Sequence, residues 1–497
     1  MKTLSALLLL GIFLYGCSDS NGNKTIEEMN QPYRPQYHFS PKTGWMNDPN
    51  GMVYYAGQYH VFYQHHPAST VWGPMHWGHA VSKDLIHWEH KPIAIYPDSL
   101  GMIFSGSAVL DKMNSSGLGT VNNPPLVAMF TYHNMPGEQS GRNDYQTQGI
   151  AFSLDSGSTW TKYSGNPVIR NPGIRDFRDP KLSWWAEGSA WIVTLAVKDH
   201  IEFYGSNDLI NWTKLSEFGQ NIGNHGGVWE CPDLFKIKDN EGVEQWVLLV
   251  SINPGAPKGG SGTQYFIGDF KSGSFIAHDT ITRWIDQGAD NYAGVTWSNI
   301  PESDGRRIFI GWMSNWNYAN VVPTDPWRSA LTLPRELSLL KNNDDWLLKS
   351  KPVNELETII GTRSLFTGET SLKTQHPLIE FENQSGEFEF ILSNDLNEFI
   401  SVKVEQGVIN IDRSHSGKID FHEKFGQVHR TDLKDIKLNR VAVYLDLSSM
   451  ELFINDGALV MTELFFPNRP FNKIKFKNSA QRFSVAPIKS IWGNDNQ

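Results

Sequence analysis

From about residue 35 to about 340, apolar positions come in short alternating runs that break at Gly, Asn, Asp and Pro, and no stretch keeps a helical period. The pattern predicts strands joined by tight turns. One unit recurs at residues 82–88, 153–160 and 206–212. In each, an Asp (Asp84, Asp155, Asp208) follows an apolar strand, and a Trp (Trp88, Trp160, Trp212) opens the next. An Asp side chain caps such a turn and the Trp packs on the sheet. A second pattern counts the units. Polar clusters open strand runs at Asn47-Asp48, Phe104-Ser105, Arg178-Asp179, Glu230-Cys231 and Asp290-Asn291-Tyr292. Their spacing, roughly 50 to 75 residues, suits one four-stranded sheet each. Five such sheets predict a five-bladed β-propeller, whose innermost strands meet at one axis and make distant polar groups neighbours. From about residue 360 the alternation is cleaner, as in residues 386–392, 399–404, 408–411, 441–446 and 450–455, and Asn455-Asp456-Gly457 marks a tight turn. This predicts a β-sandwich. The expected organisation is all-β: propeller 33–345, linker 346–359 with a short helical turn, and sandwich 360–497.

The N-terminus adds a leader. Lys2 precedes an apolar run over residues 4–15, too short to span a bilayer. It ends in Leu14-Tyr15-Gly16-Cys17, which resembles a bacterial lipobox. Residues 1–16 are therefore expected to be a cleaved signal, Cys17 the lipid attachment point, and the polar stretch 17–32 a flexible tether. The expected location is exported, bound to a bacterial membrane by acyl chains alone. Cys17 and Cys231 are the only cysteines, so neither a disulfide framework nor a zinc site is expected. A net charge of −10 argues against nucleic acid. The 18 Trp suit sugar binding and β-rich packing equally. With no HExxH, P-loop or dinucleotide fingerprint, no metal or cofactor is expected.

Three carboxylates have telling neighbours. Asp48 lies in Trp45-Met46-Asn47-Asp48-Pro49-Asn50-Gly51, a run that also reads as a plain turn. Trp45 and Met46 put apolar bulk beside it, and Gln64 and Trp72 offer an amide and an indole to sugar hydroxyls. Arg178 precedes Asp179 and is expected to keep it ionised, although a surface ion pair has the same sequence. Glu230 sits between Trp229 and Cys231, surroundings that suit a carboxyl holding its proton near neutral pH. Together the three fit glycoside hydrolysis: one carboxylate attacks, one protonates the leaving oxygen, and a third holds substrate hydroxyls.

Residues 45–51, 62–64, 104–108, 177–180 and 229–232 resemble the motifs of glycoside hydrolase family 32, the family of invertases, levanases and inulinases, in order and spacing. The resemblance runs over nearly all the chain beyond the leader and implies a five-bladed propeller followed by a β-sandwich. Carried over residue by residue, it implies Asp48 as nucleophile, Glu230 as acid/base and Asp179 as the group that grips fructose hydroxyls. It implies a fructose pocket of Trp45, Asn47, Gln64, Trp72, Phe104, Ser105, Arg178 and Trp316. The substrate is then a fructan or sucrose, split with retention. Residues 104–111, 312–320 and 334–336 lean towards exo-acting members. His65-His66 departs from the usual pattern and is expected at the pocket rim. A fructosyltransferase or an endo-acting enzyme would use the same residues. A non-catalytic glycan-binding lipoprotein would usually lack one of the three carboxylates.

Overall fold

A computed structural model describes residues 29–493 apart from 343, 344, 384 and 435. The leader 1–16, Cys17 and the tether as far as residue 28 lie outside the described residues. The chain is all-β, with one five-residue α-helix, Met135–Gln139, and two short 3-10 turns among the described residues. Five antiparallel sheets follow one another along the sequence and form a five-bladed propeller. Their first strands are Gly44–Tyr55, Met102–Leu110, Phe177–Trp185, Val228–Lys238 and Tyr292–Thr296. These are the five runs that open on polar clusters.

Middle strands such as Leu126–His133 (LVAMFTYH) and Ala190–Val197 (AWIVTLAV) are buried almost throughout, because neighbouring blades cover both faces. The three repeated turns form as expected. The Asp84 carboxylate accepts the Ile86 and His87 amides at 3.0 and 2.8 Å, and Asp208 does the same for Ile210 and Asn211. Asp155 accepts from the Thr159 amide at 2.9 Å. The ring closes where Trp327–Arg328, from the fifth unit, runs parallel to Gly44-Trp45 of the first.

The expected linker needs correction. Its first part is a strand, Asp345–Pro352, which pairs with Arg335–Asn342 as the outermost strand of the fifth blade. The helical turn follows, over Asn354–Thr358. Two six-stranded sheets then stack as a sandwich. Strands such as Phe388–Ser393 alternate buried and half-buried positions, and a phenylalanine-rich core fills the space between.

Buried ions lock sandwich to propeller. His38, ahead of the first blade, has Nδ1 2.8 Å from Asp446 Oδ2 and Nε2 2.9 Å from Glu451 Oε1. Arg335 joins Glu451 to Asp286, and Arg413 joins Asp290 to Glu463. All are buried.

Candidate active site

One backbone device recurs in all five blades. Near its start, each first strand places two residues opposite one residue of its neighbour. The pairs are Asn47-Asp48 against Gln64, Phe104-Ser105 against Thr131, Asp179-Pro180 against Leu195, Cys231-Pro232 against Val250, and Ala293-Gly294 against Gly311. Such bulges bend a strand and re-aim its side chains. At Asp179, Cys231 and Ala293 the backbone is left-handed, with φ of 63°, 45° and 53°. Non-glycine residues adopt that conformation at a cost, and it clusters at functional sites.

The bulges bring three carboxylates to the floor of a cavity of about 260 Å³ lined by Asn47, Asp48, Gln64, Trp72, Phe104, Ser105, Arg178, Asp179, Glu230 and Trp316. Asp48 Oδ2 accepts the Ser105 hydroxyl at 2.6 Å, and Oδ1 accepts the Asn47 amide at 3.0 Å. The Cys231 sulfur lies 3.5 Å from Asp48 Oδ2 and 3.6 Å from Asp179 Oδ2, so one thiol separates two carboxylates. The Cys231 amide also donates to Asp179 at 3.1 Å. Glu230 Oε1 accepts from Arg178 Nη2 at 2.8 Å, and Oε2 accepts the Tyr292 hydroxyl.

The electrostatics follow from burial and crowding. Burial raises the Asp48 pKa and the Glu230 charge adds to this, while the Ser105 and Asn47 hydrogen bonds oppose it. Asp179 is pushed up to about 7, by burial first and by the Glu230 and Asp48 charges, with Arg178 opposing. The Cys231 thiol and the Tyr292 phenol are driven well above their ordinary ranges, by burial first and by the surrounding carboxylates, so both stay protonated donors.

Three expectations change. Arg178 does not chiefly serve Asp179: its guanidinium binds Glu230 and, at 2.6 Å, Asp176, and comes only to 3.9 Å from Asp179. Trp45 does not line the pocket. It is fully buried behind it, donates from Nε1 to Asn47 Oδ1 at 2.6 Å, and stacks on Trp316 with ring centres 5.8 Å apart. It orients two pocket residues instead. His65 is also behind the wall, 2.8 Å from the Trp45 carbonyl, while His66 sits outside against the Val71 carbonyl. Sequence reasoning missed Tyr292. Its only signal was its place at the start of the fifth strand run. It also missed His133, which stacks on Phe104 at 4.2 Å, and Gln146 and Asn253 in the lining.

A second cavity of about 300 Å³ includes Lys181, Asp233, Thr296 and Arg307 in its lining. Though larger, it is the weaker catalytic candidate. Its one lining carboxylate, Asp233, is already bound to Lys181 and to Thr296, so it offers no acid and nucleophile pair. Among the described residues, His200, Glu202 and Glu217 bring three metal-ligand atoms together. The Lys214 ammonium sits there already, 2.6 and 2.5 Å from the two carboxylates.

The profile of the glycosyl hydrolases family 32 N-terminal domain matches residues 38–352, and that of the family's C-terminal domain matches residues 344–491. The chain is 46% identical to a levanase of Bacillus subtilis (strain 168), over 93% of this chain and 71% of that one. It is 36% identical to an extracellular exo-inulinase of Aspergillus awamori, over 94% of each chain. A crystal structure of the Aspergillus awamori exo-inulinase superposes with a TM-score of 0.85 at 35% identity, covering 93% of this chain and all of that one. A fructofuranosidase of Schwanniomyces occidentalis complexed with fructose superposes with a TM-score of 0.79 at 33% identity, covering 92% and 98%.

Proposed function

Since the chain belongs to glycosyl hydrolase family 32, we propose that it is a glycosidase releasing fructose from fructans and sucrose, with Asp48 as nucleophile, Glu230 as general acid and base, and Asp179 as the holder of fructose hydroxyls. The observation that carries this reading is the meeting of the three carboxylates, from three separate blades, on one cavity floor. Relatives that are levanases, exo-inulinases and an invertase support the substrate class.

The reaction has two steps. Glu230 protonates the glycosidic oxygen while Asp48 attacks the anomeric carbon of fructose and forms an ester. Glu230 then takes a proton from water, which releases fructose with its configuration retained. Arg178 and Tyr292 donate to Glu230 and hold it in place for both transfers. Ser105 and Asn47 fix the attacking carboxylate. Asp179 and Gln64 stand ready for the ring hydroxyls, and Trp72 and Trp316 wall the site.

Attack is at the chain end. Several polar side chains converge on one cavity of about 260 Å³, and each polar partner of a terminal hydroxyl would be left unpaired by an internal unit. The propeller, through Pro352, is the catalytic domain and the sandwich is the second domain. The enzyme is exported, in keeping with the apolar run at residues 4–15 and the extracellular Aspergillus relatives, and is held to a membrane by lipid on Cys17. Chromatography of the first products from levan and inulin tests the mode of attack. Free fructose should dominate while the mean length of the remaining polymer barely changes. Early short oligosaccharides would establish endo attack, and fructosylated sucrose from sucrose alone would establish transfer.

A further inference from the structure

The last propeller segment ahead of Tyr292 is held by the other domain. The Gln287 amide donates to the Val460 carbonyl at 2.7 Å and the Asp290 amide to the Thr462 carbonyl at 3.1 Å. In return the Thr462 amide donates to Asp286 at 3.0 Å and the Leu464 amide to Asp290 at 2.9 Å. Residues 286–290 thus run beside the sandwich strand Leu459–Leu464 as an irregular segment, clamped by two backbone hydrogen bonds and by the carboxylates of Asp286 and Asp290.

At the end of this seam stands Arg413, fully buried on the sandwich strand Val408–His415. Its Nη1 donates to Asp290 Oδ2 at 2.6 Å and its Nη2 to the Tyr318 hydroxyl at 2.9 Å. Tyr318 donates to Asp290 Oδ1 at 2.6 Å. Nε is held by the Phe425 carbonyl at 2.8 Å, and the guanidinium lies 4.2 Å from the centre of the Phe425 ring. Every nitrogen is therefore committed, and the Asp290 carboxylate is gripped from both domains. Asp290 is two residues from Tyr292, whose hydroxyl binds Glu230. Tyr318 is two residues from Trp316, which lines the pocket.

We propose that Arg413, a residue of the sandwich, is a positioning residue for the acid/base Glu230, acting through Asp290 and Tyr292, and that Tyr318 ties the Trp316 wall to the same anchor. The sandwich then completes the active site without touching substrate. The proposal rests on the reading of Glu230 as the acid/base. Two residues of backbone separate anchor from contact on each branch, so a loosened anchor is passed on to both contacts. A misplacement of about 1 Å at a reacting group costs up to about 100-fold in rate.

The test uses Arg413→Lys, Tyr318→Phe and Tyr292→Phe in the full-length enzyme, each checked for folding by thermal unfolding. Sucrose turnover is compared with that of an aryl fructoside, whose phenolate leaves with little help from an acid. Arg413→Lys and Tyr318→Phe should each lower kcat on sucrose about tenfold or more, and lower it far less on the aryl fructoside. Tyr292→Phe should show the same split. Adding Arg413→Lys or Tyr318→Phe to Tyr292→Phe should then lower sucrose kcat no further, since coupled residues are non-additive. A purely structural role would lower the melting temperature and slow both substrates alike. A folded Tyr318→Phe enzyme with the wild-type kcat on sucrose would overturn the proposal, as would losses that add to that of Tyr292→Phe. If Arg413→Lys does not fold, the Tyr318→Phe pair decides alone. Full activity in Glu230→Gln would instead remove the acid/base reading itself, whatever the coupling.

Discussion

His38 should make the joint between the domains sensitive to alkali. The perturbation is His38→Gln. Both ring nitrogens of His38 face carboxylates, Asp446 at 2.8 Å and Glu451 at 2.9 Å, with no exposure on either side. Burial alone would lower the imidazole pKa, but the hydrogen bonds and charges of the two carboxylates outweigh it and raise it from 6.5 to about 9. The carboxylates themselves are held below their usual range, so both stay ionised at neutral pH. A raised folded-state pKa means that the stabilisation is fully present below pH 6.5 and is lost as pH climbs through 9. The rise from 6.5 to about 9 corresponds to about 3 kcal/mol of pH-dependent stability. Urea unfolding of both proteins between pH 6 and 9.5 measures it. The wild-type advantage should shrink with a slope approaching about 1.4 kcal/mol per pH unit. Asp179 also titrates in this window, but it is common to both proteins and cancels in the difference. Parallel curves would refute the reasoning and show that folding leaves the His38 pKa unshifted.

Asp179→Asn should abolish sucrose cleavage yet stabilise the fold at neutral pH. Its carboxyl is raised to about 7, chiefly by burial, so wild-type stability falls as pH rises from about 4 to 7. The gain in melting temperature should therefore be largest near pH 7.5 and vanish near pH 4. Glu230→Gln should lower turnover by about 10²- to 10⁴-fold with the circular dichroism spectrum unchanged. A variant keeping a tenth of its activity would cancel that assignment. NMR of the first fructose released should show retained anomeric configuration, and an inverted first product would remove Asp48 from the nucleophile role. Cys17→Ser should move the enzyme from the membrane fraction to the soluble fraction with activity intact. Retention of that variant in the membrane would end the lipid-anchor reading.

The propeller was legible because all five blades open on a polar strand start and three of them repeat a capped turn, and both signals are contiguous in sequence. Sandwich alternation was legible for the same reason. Asn47 and Ser105 were placed by the resemblance of residues 45–51 and 104–108 to family motifs, which are contiguous in sequence. Pairings across blades were harder to read. Arg178 is adjacent to Asp179 in sequence, yet the bulge at Asp179-Pro180 turns the two side chains apart and sends the guanidinium to Glu230, 52 residues on. Trp45 looked like a sugar platform because it neighbours the nucleophile, but it is fully buried, its indole N–H spent on Asn47 and its ring stacked on Trp316. The end of the fifth blade was missed because Asp345–Pro352 is charged and half-exposed, as an outermost strand is, and resembles a linker. Nothing local in Arg413 or Asp290 marks a contact between residues 123 positions apart.

The repeated bulge also bears on how such an enzyme is redesigned. Because the same two-for-one step falls near the start of all five inner strands, the reactive groups share one latitude set by strand pairing. The connecting segments above that latitude can then be lengthened, shortened or exchanged to favour a different fructan linkage without retuning the chemistry beneath. Deleting one residue from a bulge would instead rotate that blade's contribution away from the axis. Directed libraries should accordingly leave these ten bulge positions untouched and concentrate diversity in the overhanging rim.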